Sequence, residues 1–208
     1  MITLATPSDA PDEAVISRAV DALRSGGVVA YPTDTLYGLA VDPRSPDAIE
    51  KLFAAKGRDA SVAVPLIAAS LEQAQDAAIF SDRDVRLARA FWPGPLTIVM
   101  PARPSISATV LAGGTTVAIR VPSHAVARRL AEAFGFPLTA TSANRTGQPP
   151  ASTGAEVSTA IDVGIDLLID AGAVAGGLAS TIVEIGSSGP RLVRRGAVAW
   201  ERVLESLE

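Results

Sequence analysis

Short apolar runs rich in β-branched residues alternate with amphipathic segments along nearly the whole chain, and this alternation constrains the fold most strongly. The first amphipathic segment, 11–25, predicts a helix that ends at Gly26-Gly27, and the apolar run 28–32 predicts a strand. Strands that alternate with helices indicate helices packed on a sheet. Further strands are predicted at 62–68, 96–100, 117–121, 138–142, 166–170, 180–185 and 191–195, and further helices begin near residues 45, 70, 81, 123, 152 and 198.

Two connections join successive predicted strands directly, without a helix between them. They run from 100 to 117 and from 185 to 191. Because parallel neighbours need a long crossover, these links argue against an all-parallel sheet. We therefore expect an α/β fold with a twisted, mixed parallel/antiparallel sheet flanked by helices. At 208 residues, the chain has the length of one domain, which we expect to span residues 1–208.

Composition excludes several classes of chemistry. The chain has no cysteine and a single histidine, His124, which rules out thiolate chemistry and multi-histidine metal sites. Its net charge is −4, so a basic binding site would have to be local. No apolar run reaches the ~18 residues of a membrane helix and no leader pattern opens the chain, so we expect a soluble, cytoplasmic protein without membrane contact.

Small polar residues gather where predicted strands end. Thr33 and Thr35 follow the first strand, Ser142 and Asn144 follow another, and Ser180 begins a third. Ligands of layered α/β proteins bind at such strand ends. Cations lie at or beside the ends of elements as well. Together with hydroxyl and amide donors from Ser142 and Asn144, they suit a nucleoside triphosphate, whose phosphates they would bind, and a carboxylate. These cations are Lys56, Arg58, Arg120, Arg194 and Arg195, with lysine notable because the chain has sixteen arginines and only two lysines.

Plainer interpretations of these residues stay open. Thr33 and Thr35 also suit a turn, and Ser142 and Asn144 suit a loop cap. Lys56 and Arg58 would be ordinary cations at a helix C-terminus. For His124 a structural role is the simpler hypothesis, and for Asp34 a turn role is simpler than magnesium binding. Any nucleotide would be held without a P-loop or a GxGxxG turn, since the chain contains neither motif.

With these residues in view, the sequence resembles the YrdC family, and within it the short, single-domain members. The motifs that carry the resemblance keep one order from Gly27 to about Val198. They are YPTDTLYGLAVD, KGR at 56–58, FWPGPLTIVM, VAIRVPSH, TATSANRTG, ASTIVEI and LVRRGAV.

The resemblance implies an enzyme, a nucleotidyltransferase that makes threonylcarbamoyl-AMP and pyrophosphate from L-threonine, bicarbonate and ATP with Mg²⁺. The product would pass to partner proteins that modify the tRNA adenine beside the anticodon. In the family the KxR and SxN residues bind ATP, and the lysine and arginine of KxR, here Lys56 and Arg58, are the catalytic cations. Carried over, the ATP residues are Lys56, Arg58, Thr116, Ser142, Asn144 and Arg194, and the threonine residues are Thr35, Arg120, Ala140 and Ser180.

The chain also departs from the family pattern. Asp59 stands where many relatives have proline, and Ala68 or Ala69 stands where a histidine would fall. Two rival functions remain. One is a YrdC-fold RNA-binding or ribosome-assembly module without synthase activity, against which the intact KxR and SxN argue. The other is carbamoyl transfer from carbamoyl phosphate, against which the lack of acylphosphatase and zinc-binding segments argues.

Overall fold

The computed structural model describes residues 1–57, 62–161, 163–186 and 188–208. Within these ranges the chain forms eleven strands and seven helices, in the α/β order expected from the sequence. The strands are β1 (Ile2–Ala5), β2 (Val29–Tyr31), β3 (Gly38–Ala40), β4 (Leu66–Ile67), β5 (Leu96–Pro101), β6 (Thr116–Arg120), β7 (Leu138–Thr139), β8 (Thr141–Ser142), β9 (Leu167–Asp170), β10 (Thr181–Gly186) and β11 (Gly189–Arg194). The helices are α1 (Glu13–Arg24), α2 (Pro46–Lys56), α3 (Leu71–Ala74), α4 (Asp82–Phe91), α5 (Ala125–Phe134), α6 (Gly154–Ala160) and α7 (Trp200–Glu205).

The strands are divided between two sheets. One has the order β1-β9-β2-β3-β8 and the other the order β11-β10-β5-β6-β4-β7. Both contain parallel and antiparallel pairs, which confirms the mixed α/β class. The expectation of a single sheet was wrong, because the extended run 138–142 contributes β7 to one sheet and β8 to the other. Such a division depends on pairing partners that are distant in sequence.

Local signals place the helix α2 that carries the candidate lysine. Ser45 caps its first turn by accepting a hydrogen bond from the Ala48 amide, and Pro46 occupies the first position. Gly57 ends it with a left-handed φ of 56°, a conformation that favours glycine. These caps confirm the predicted bounds of α2, and they fix Lys56 as its last residue.

Two strands were missed. β1 is an exposed edge strand that pairs in parallel with β9, and β3 is a three-residue strand antiparallel to β2, with Tyr31 opposite Gly38. The predicted strand 62–68 shrinks to Leu66–Ile67. Strands this short carry too little periodicity to be recognised, since their pairing comes from the assembled sheet.

The buried apolar side chains form one cluster to which both sheets and the helices contribute. Tyr31, Leu39, Ile49, Leu66 and Ile98 are among its fully buried members. At about 25 cal/mol per Å² of buried apolar surface, this cluster is the main stabilising contribution, and it supports the strand ends on which the polar residues lie. In the described ranges, no helix is both long and apolar enough to cross a membrane.

Candidate active site

The two sheets meet at Ala140. On one side of it, Thr139 pairs with Leu66 of β4, and on the other, Ser142 pairs with Gly38 of β3. The amide of half-buried Ala140 donates to the Pro65 carbonyl at 2.8 Å. Ala140 therefore brings backbone and a methyl group, but no polar side chain, to the line between the sheets. The chain beyond it leads directly to Ser142 and Asn144.

Lys56, Ser142 and Asn144 form what we call the lysine cluster. Lys56 is only 4% exposed, and its Nζ donates to the carbonyls of Ser142 at 2.5 Å and Asn144 at 2.8 Å. The carbonyl of Lys56 in turn accepts from the Thr146 amide. Three of the predicted ATP residues are thus in contact, while their role in binding ATP stays a prediction. The alternative of a solvated helix end is wrong for Lys56. Its partner in the KxR motif, Arg58, lies outside the described residues.

The Asn144 side chain shapes the loop that follows it. Its Nδ2 donates to the carbonyls of Arg145 at 3.1 Å and Gln148 at 2.5 Å, so the amide donors serve the loop rather than an anion. Its Oδ1 is buried without a hydrogen-bond partner. Buried polar atoms are normally satisfied, so this oxygen points to a ligand donor such as an amino or hydroxyl group. The predicted role of Asn144 as a donor to phosphate therefore needs correction: the atom it offers is an acceptor.

A cavity of about 900 Å³ lies beside the lysine cluster. Its walls come from the loop after Asn144, including Arg145, Pro149 and Pro150, and from Ala155 and Thr159 of α6. Apolar proline and alanine surfaces next to a few polar groups are typical of small-molecule sites. No sequence pattern predicts this cavity, because α6 and the loop approach each other only in the folded chain.

Arg120, Thr97, Ser180 and Arg194 form what we call the arginine row. In the register, Thr97 of β5 pairs with Ile182 of β10, and Ile182 pairs with Arg194 of β11. Ile98 pairs with Ile119, so the next step of this antiparallel ladder sets Thr97 opposite Arg120. Residues opposite each other in a ladder project from the same face. Thr97, Arg120 and Arg194 therefore project from one face of the six-stranded sheet. Ser180 immediately precedes β10, and its hydroxyl reaches Thr97 on that face.

Ser180 is the centre of the arginine row. Its carbonyl accepts from Arg194 Nη2 at 2.8 Å and from Nε at 3.2 Å, and its Oγ accepts from Nη2 at 3.2 Å. Ser180 Oγ also shares a 2.8 Å hydrogen bond with Thr97 Oγ1. Thr97 is 3% exposed and was not predicted as a site residue. The sequence feature that could have indicated Thr97 is its position as a polar residue inside the apolar run LTIVM.

The two guanidinium groups of the arginine row differ in their partners. Arg120 Nη1 donates to both carboxylate oxygens of Asp34, at 3.0 and 3.1 Å, and this pair is largely buried. Arg194 is exposed as a residue, but partial burial of its guanidinium and the positive charge of Arg120 lower its pKa. In the described part of the chain, Arg194 has no carboxylate partner. A cation next to another cation, with no carboxylate of its own, favours an anionic ligand.

Tyr31 connects the lysine cluster with the arginine row. Its ring lies 3.2 Å from an ideal Cβ at Gly38, the residue that pairs with Ser142. Its hydroxyl donates to the Thr139 carbonyl at 3.2 Å. Complete burial raises the Tyr31 pKa; Arg120 opposes this rise and Asp34 adds to it. Tyr31 therefore packs beside the lysine cluster, is influenced by the charges of Arg120 and Asp34, and stays neutral.

The opening motif forms a turn that presents Thr35. Thr33 Oγ1 donates to the Leu36 carbonyl at 2.7 Å and accepts from the Thr35 and Leu36 amides at 3.2 Å each, so the turn interpretation is confirmed for Thr33. Thr35 is buried, and its Oγ1 lies 3.1 Å from Thr33 Oγ1. Asp34 between them contacts Arg120, which brings this turn to the arginine row.

Two other residues lie at the margin of the site. Thr116 is exposed at the beginning of β6, four residues and about 13 Å along the strand from Arg120, so the structure does not bring it to the arginine row. His124 precedes α5 without capping it through its side chain. Burial lowers the His124 pKa, while Asp34 acts in the opposite direction, and Nδ1 is buried without a partner. The imidazole is therefore held in its neutral form.

The fold and the site together define a class: an α/β protein with cations and hydroxyl groups at the junction of two mixed sheets, suited to a small anionic ligand. Comparison with known families makes this specific. The family model for Sua5, YciO and YrdC proteins, described as telomere recombination, matches residues 21–196. The chain therefore belongs to the Sua5/YciO/YrdC family, as the motifs indicated.

Curated relatives of this chain are described as threonylcarbamoyl-AMP synthases. The chain is 43% identical over 145 residues to the threonylcarbamoyl-AMP synthase of Photobacterium profundum, covering 68% of this chain and 78% of that protein. It is 41% identical over 180 residues to that of Halorhodospira halophila, covering 86% and 94%. Pyrococcus abyssi Sua5, solved with L-threonine, superposes with a TM-score of 0.93 at 32% identity over 99% of this chain. The chain spans only 61% of that longer structure.

Proposed function

We propose that this chain is an L-threonylcarbamoyladenylate synthase, which makes threonylcarbamoyl-AMP and pyrophosphate from L-threonine, bicarbonate and ATP. The observation that carries the proposal is the arginine row, in which Arg194 has no carboxylate partner among the described residues and Ser180 joins it to Thr97. The similarity to named synthases supports the same reaction.

We assign ATP to the lysine cluster and the cavity beside it. The apolar walls at Pro149, Pro150 and Ala155 offer a flat surface for a base, and the buried acceptor Asn144 Oδ1 suits an amino or hydroxyl donor of the nucleoside. Lys56 and Arg194 would bind phosphate oxygens, whose negative charge grows during transfer. Arg58, Thr116 and Ser142 complete the proposed ATP residues and stay predictions.

L-threonine is assigned to the arginine row and the turn that faces it. Arg120 Nε and Nη2 have no hydrogen-bond partner in the described structure, so they remain able to bind a carboxylate while Nη1 holds Asp34. Thr35 and Ser180 add hydroxyl groups, and Ala140 lines the sheet junction. The relative solved with L-threonine supports an amino-acid site in this fold.

The reaction needs placement and charge rather than a protein nucleophile. Threonine must lose one proton from its ammonium group, and partial desolvation in the site favours the neutral amine. The amine nitrogen then forms a bond to the carbon of CO₂ or bicarbonate, releasing a proton and, from bicarbonate, hydroxide. A carbamate oxygen attacks the α-phosphorus of ATP, and the bond to pyrophosphate breaks. Lys56 and Arg194 would stabilise the charge that develops on the phosphoryl oxygens.

Mg²⁺ is proposed to enter with the triphosphate. Among the described residues, no group of three histidine, aspartate or glutamate side chains forms a metal site. Asp34 is the carboxylate next to these cations, and both its oxygens accept from Arg120. The residues do not fit a protein-bound magnesium ion, whereas Mg²⁺ is commonly held by substrate phosphates and water.

The intermediate would be consumed by proteins that transfer the threonylcarbamoyl group to tRNA adenine beside the anticodon. We propose that the reaction takes place in the cytoplasm, where tRNA and ATP meet. Direct RNA binding would be weak, because the net charge of −4 gives no general attraction to nucleic acid.

Pyrophosphate release from purified protein and MgATP tests the proposal. We expect release that requires both L-threonine and bicarbonate, with L-serine as the control amino acid. Release without threonine would contradict the assignment. An RNA-binding or ribosome-assembly module would instead bind RNA without threonine-dependent ATP turnover, and a carbamoyl-transfer enzyme would require carbamoyl phosphate.

A further inference from the structure

Thr97 is a buried hydroxyl in an apolar strand that the proposed reaction has not yet used. Its neighbours in β5, Leu96 and Ile98, are fully buried, and Thr97 itself is 3% exposed. Valine has the same shape and would pack equally well at a central strand position. A buried hydroxyl is costly unless it forms a hydrogen bond. The partner of Thr97 therefore indicates why threonine stands here.

The hydrogen bond of the Thr97 side chain goes to a site residue. Thr97 Oγ1 lies 2.8 Å from Ser180 Oγ, which also accepts from Arg194 Nη2. The two hydroxyl groups contribute two protons, and the bond between them uses one. One hydroxyl proton of the pair is therefore available to a ligand oxygen, whichever hydroxyl donates internally.

The position of Thr97 places this donor between the two cations. The register sets Thr97 opposite Arg120 on one side and pairs it with Ile182, which faces Arg194, on the other. A carboxylate bound by Arg120 would thus lie next to the hydroxyl pair. If the Thr97 hydroxyl were removed, Ser180 Oγ would keep its contact with Arg194 Nη2. It would lose the hydrogen bond to Thr97 Oγ1 that helps to fix its side-chain rotamer.

We propose that Thr97 is a positioning residue of the amino-acid site, which holds Ser180 Oγ so that the hydroxyl pair donates to the threonine carboxylate. This inference rests on the proposed function for the identity of the ligand. It deepens that function, because it adds a residue that acts on L-threonine rather than on ATP.

Isosteric variants test the inference. Thr97→Val keeps the shape and removes the hydroxyl, Thr97→Ser keeps the hydroxyl, and Thr6→Val is a matched control. Thr6 is also buried, but its Oγ1 accepts from the Asp12 amide at the far edge of the other sheet. Initial rates of pyrophosphate release are measured against L-threonine at saturating ATP and against ATP at saturating L-threonine. Melting temperatures are measured in parallel.

We expect Thr97→Val to raise the KM for L-threonine about 3- to 10-fold, the range that corresponds to one neutral hydrogen bond. The kcat and the KM for ATP should change less than about twofold, and Thr97→Ser should restore the threonine KM. Adding Thr97→Val to Ser180→Ala should have little further effect, because the two hydroxyls act as a unit. Thr6→Val should leave all three kinetic constants unchanged.

Binding of L-threonine by calorimetry, with a non-hydrolysable ATP analogue present, separates this inference from the proposed function. If the wild-type protein binds L-threonine but releases no pyrophosphate, the proposed synthase activity is refuted. Weaker threonine binding by Thr97→Val would then still support the positioning role of Thr97. Unchanged threonine KM and affinity in Thr97→Val would refute the positioning role while leaving the synthase intact. Equal losses for both substrates together with a lower melting temperature would show a purely structural role, and a wild type that binds no threonine would refute both.

Discussion

The lysine cluster and the arginine row hold cations in opposite ways. Lys56 is buried and fixed by two backbone carbonyls, those of Ser142 at the end of β8 and of Asn144 just after it. By contrast, Arg120 is fixed by the Asp34 carboxylate in the turn after β2, and Arg194 by the carbonyl of the residue that precedes β10. Carbonyls of one tight segment accept a compact ammonium, while the planar guanidinium suits side-by-side partners on a sheet face. Activity should therefore depend on the single cation Lys56 in the lysine cluster. In the arginine row, substrate binding should depend on both Arg120 and Arg194.

The largest effect should come from Lys56→Ala, which removes the cation and leaves two buried carbonyls without their ammonium donor. We expect kcat/KM for pyrophosphate release to fall at least 100-fold, corresponding to about 3 kcal/mol. The same loss is expected for Arg58→Ala. Exposed Lys51, which donates to the Gly26 carbonyl, gives the matched control Lys51→Ala with unchanged turnover.

Circular dichroism distinguishes a catalytic loss in Lys56→Ala from a failure to fold, and Lys56→Arg offers a second, charge-conserving variant. Arginine cannot reproduce a compact ammonium between two carbonyls, so it should restore less than about a tenth of the activity. A folded Lys56→Ala protein with near wild-type turnover would refute the role of the lysine cluster.

The arginine row should separate the two substrates. We expect Arg120→Ala to raise the KM for L-threonine about 10- to 30-fold and the KM for ATP much less, with the reverse for Arg194→Ala, since each removes one charge-assisted contact. Arg191→Ala is the control, because Arg191 lies on β11 like Arg194 but forms an ion pair with Glu184. If both variants raised the KM for the same substrate, the assignment of Arg120 to L-threonine and of Arg194 to ATP would be wrong.

The packing of Tyr31 beside the lysine cluster can be disturbed at Gly38. A Cβ there would lie 3.2 Å from the fully buried Tyr31 ring, which has little room to move. We expect Gly38→Ala to lower the free energy of unfolding by about 1–3 kcal/mol, measured by urea titration. Gly186→Ala, whose added Cβ would meet only a 3.7 Å contact, should change stability far less. Equal effects of the two variants would contradict a tight Gly38–Tyr31 contact.

The smallest effect concerns His124 and pH. Burial lowers its pKa below the ordinary value of 6.5, so the unfolded chain binds more protons than the folded protein as the pH falls towards and below 6.5. Stability should therefore be lost on acidification. We expect the urea midpoint to fall more for the wild type than for His124→Gln between about pH 7.5 and about pH 5.5. Parallel pH profiles of the two proteins would show that His124 does not contribute.

Sequence reasoning succeeded where the cause was local. The cap Ser45, the proline after it and Gly57 set the bounds of α2, and with them the position of Lys56. The expected positions of Ser180 next to β10 and of Thr35 in the turn after β2 are likewise correct, because short-range pattern predicts where strands end. Their role in binding threonine stays a prediction. The mixed α/β class followed from the two direct strand links, which the structure shows as the antiparallel pairs β5–β6 and β10–β11.

Sequence reasoning failed where two interacting residues are far apart in the chain. The Asp34–Arg120 ion pair joins residues 86 positions apart, and the Thr97–Ser180 hydrogen bond joins residues 83 apart. Asn144 looked like a phosphate donor, yet its amide bonds to its own loop and leaves Oδ1 as the orphan atom. Periodicity and motif spacing do not predict which atoms of a side chain will form hydrogen bonds within the folded protein.

Local sequence signals were sufficient to predict the α/β class, the helix that ends at Lys56 and the set of available cations and hydroxyl groups, because caps, turns and hydrophobic periods act over a few residues. The division of the strands into two sheets at Ala140 depends on the assembled fold, and so does the meeting of Thr97 and Ser180 with the two arginines. Strand pairing joins segments far apart in the chain, so its partners are chosen by the packing of the whole core.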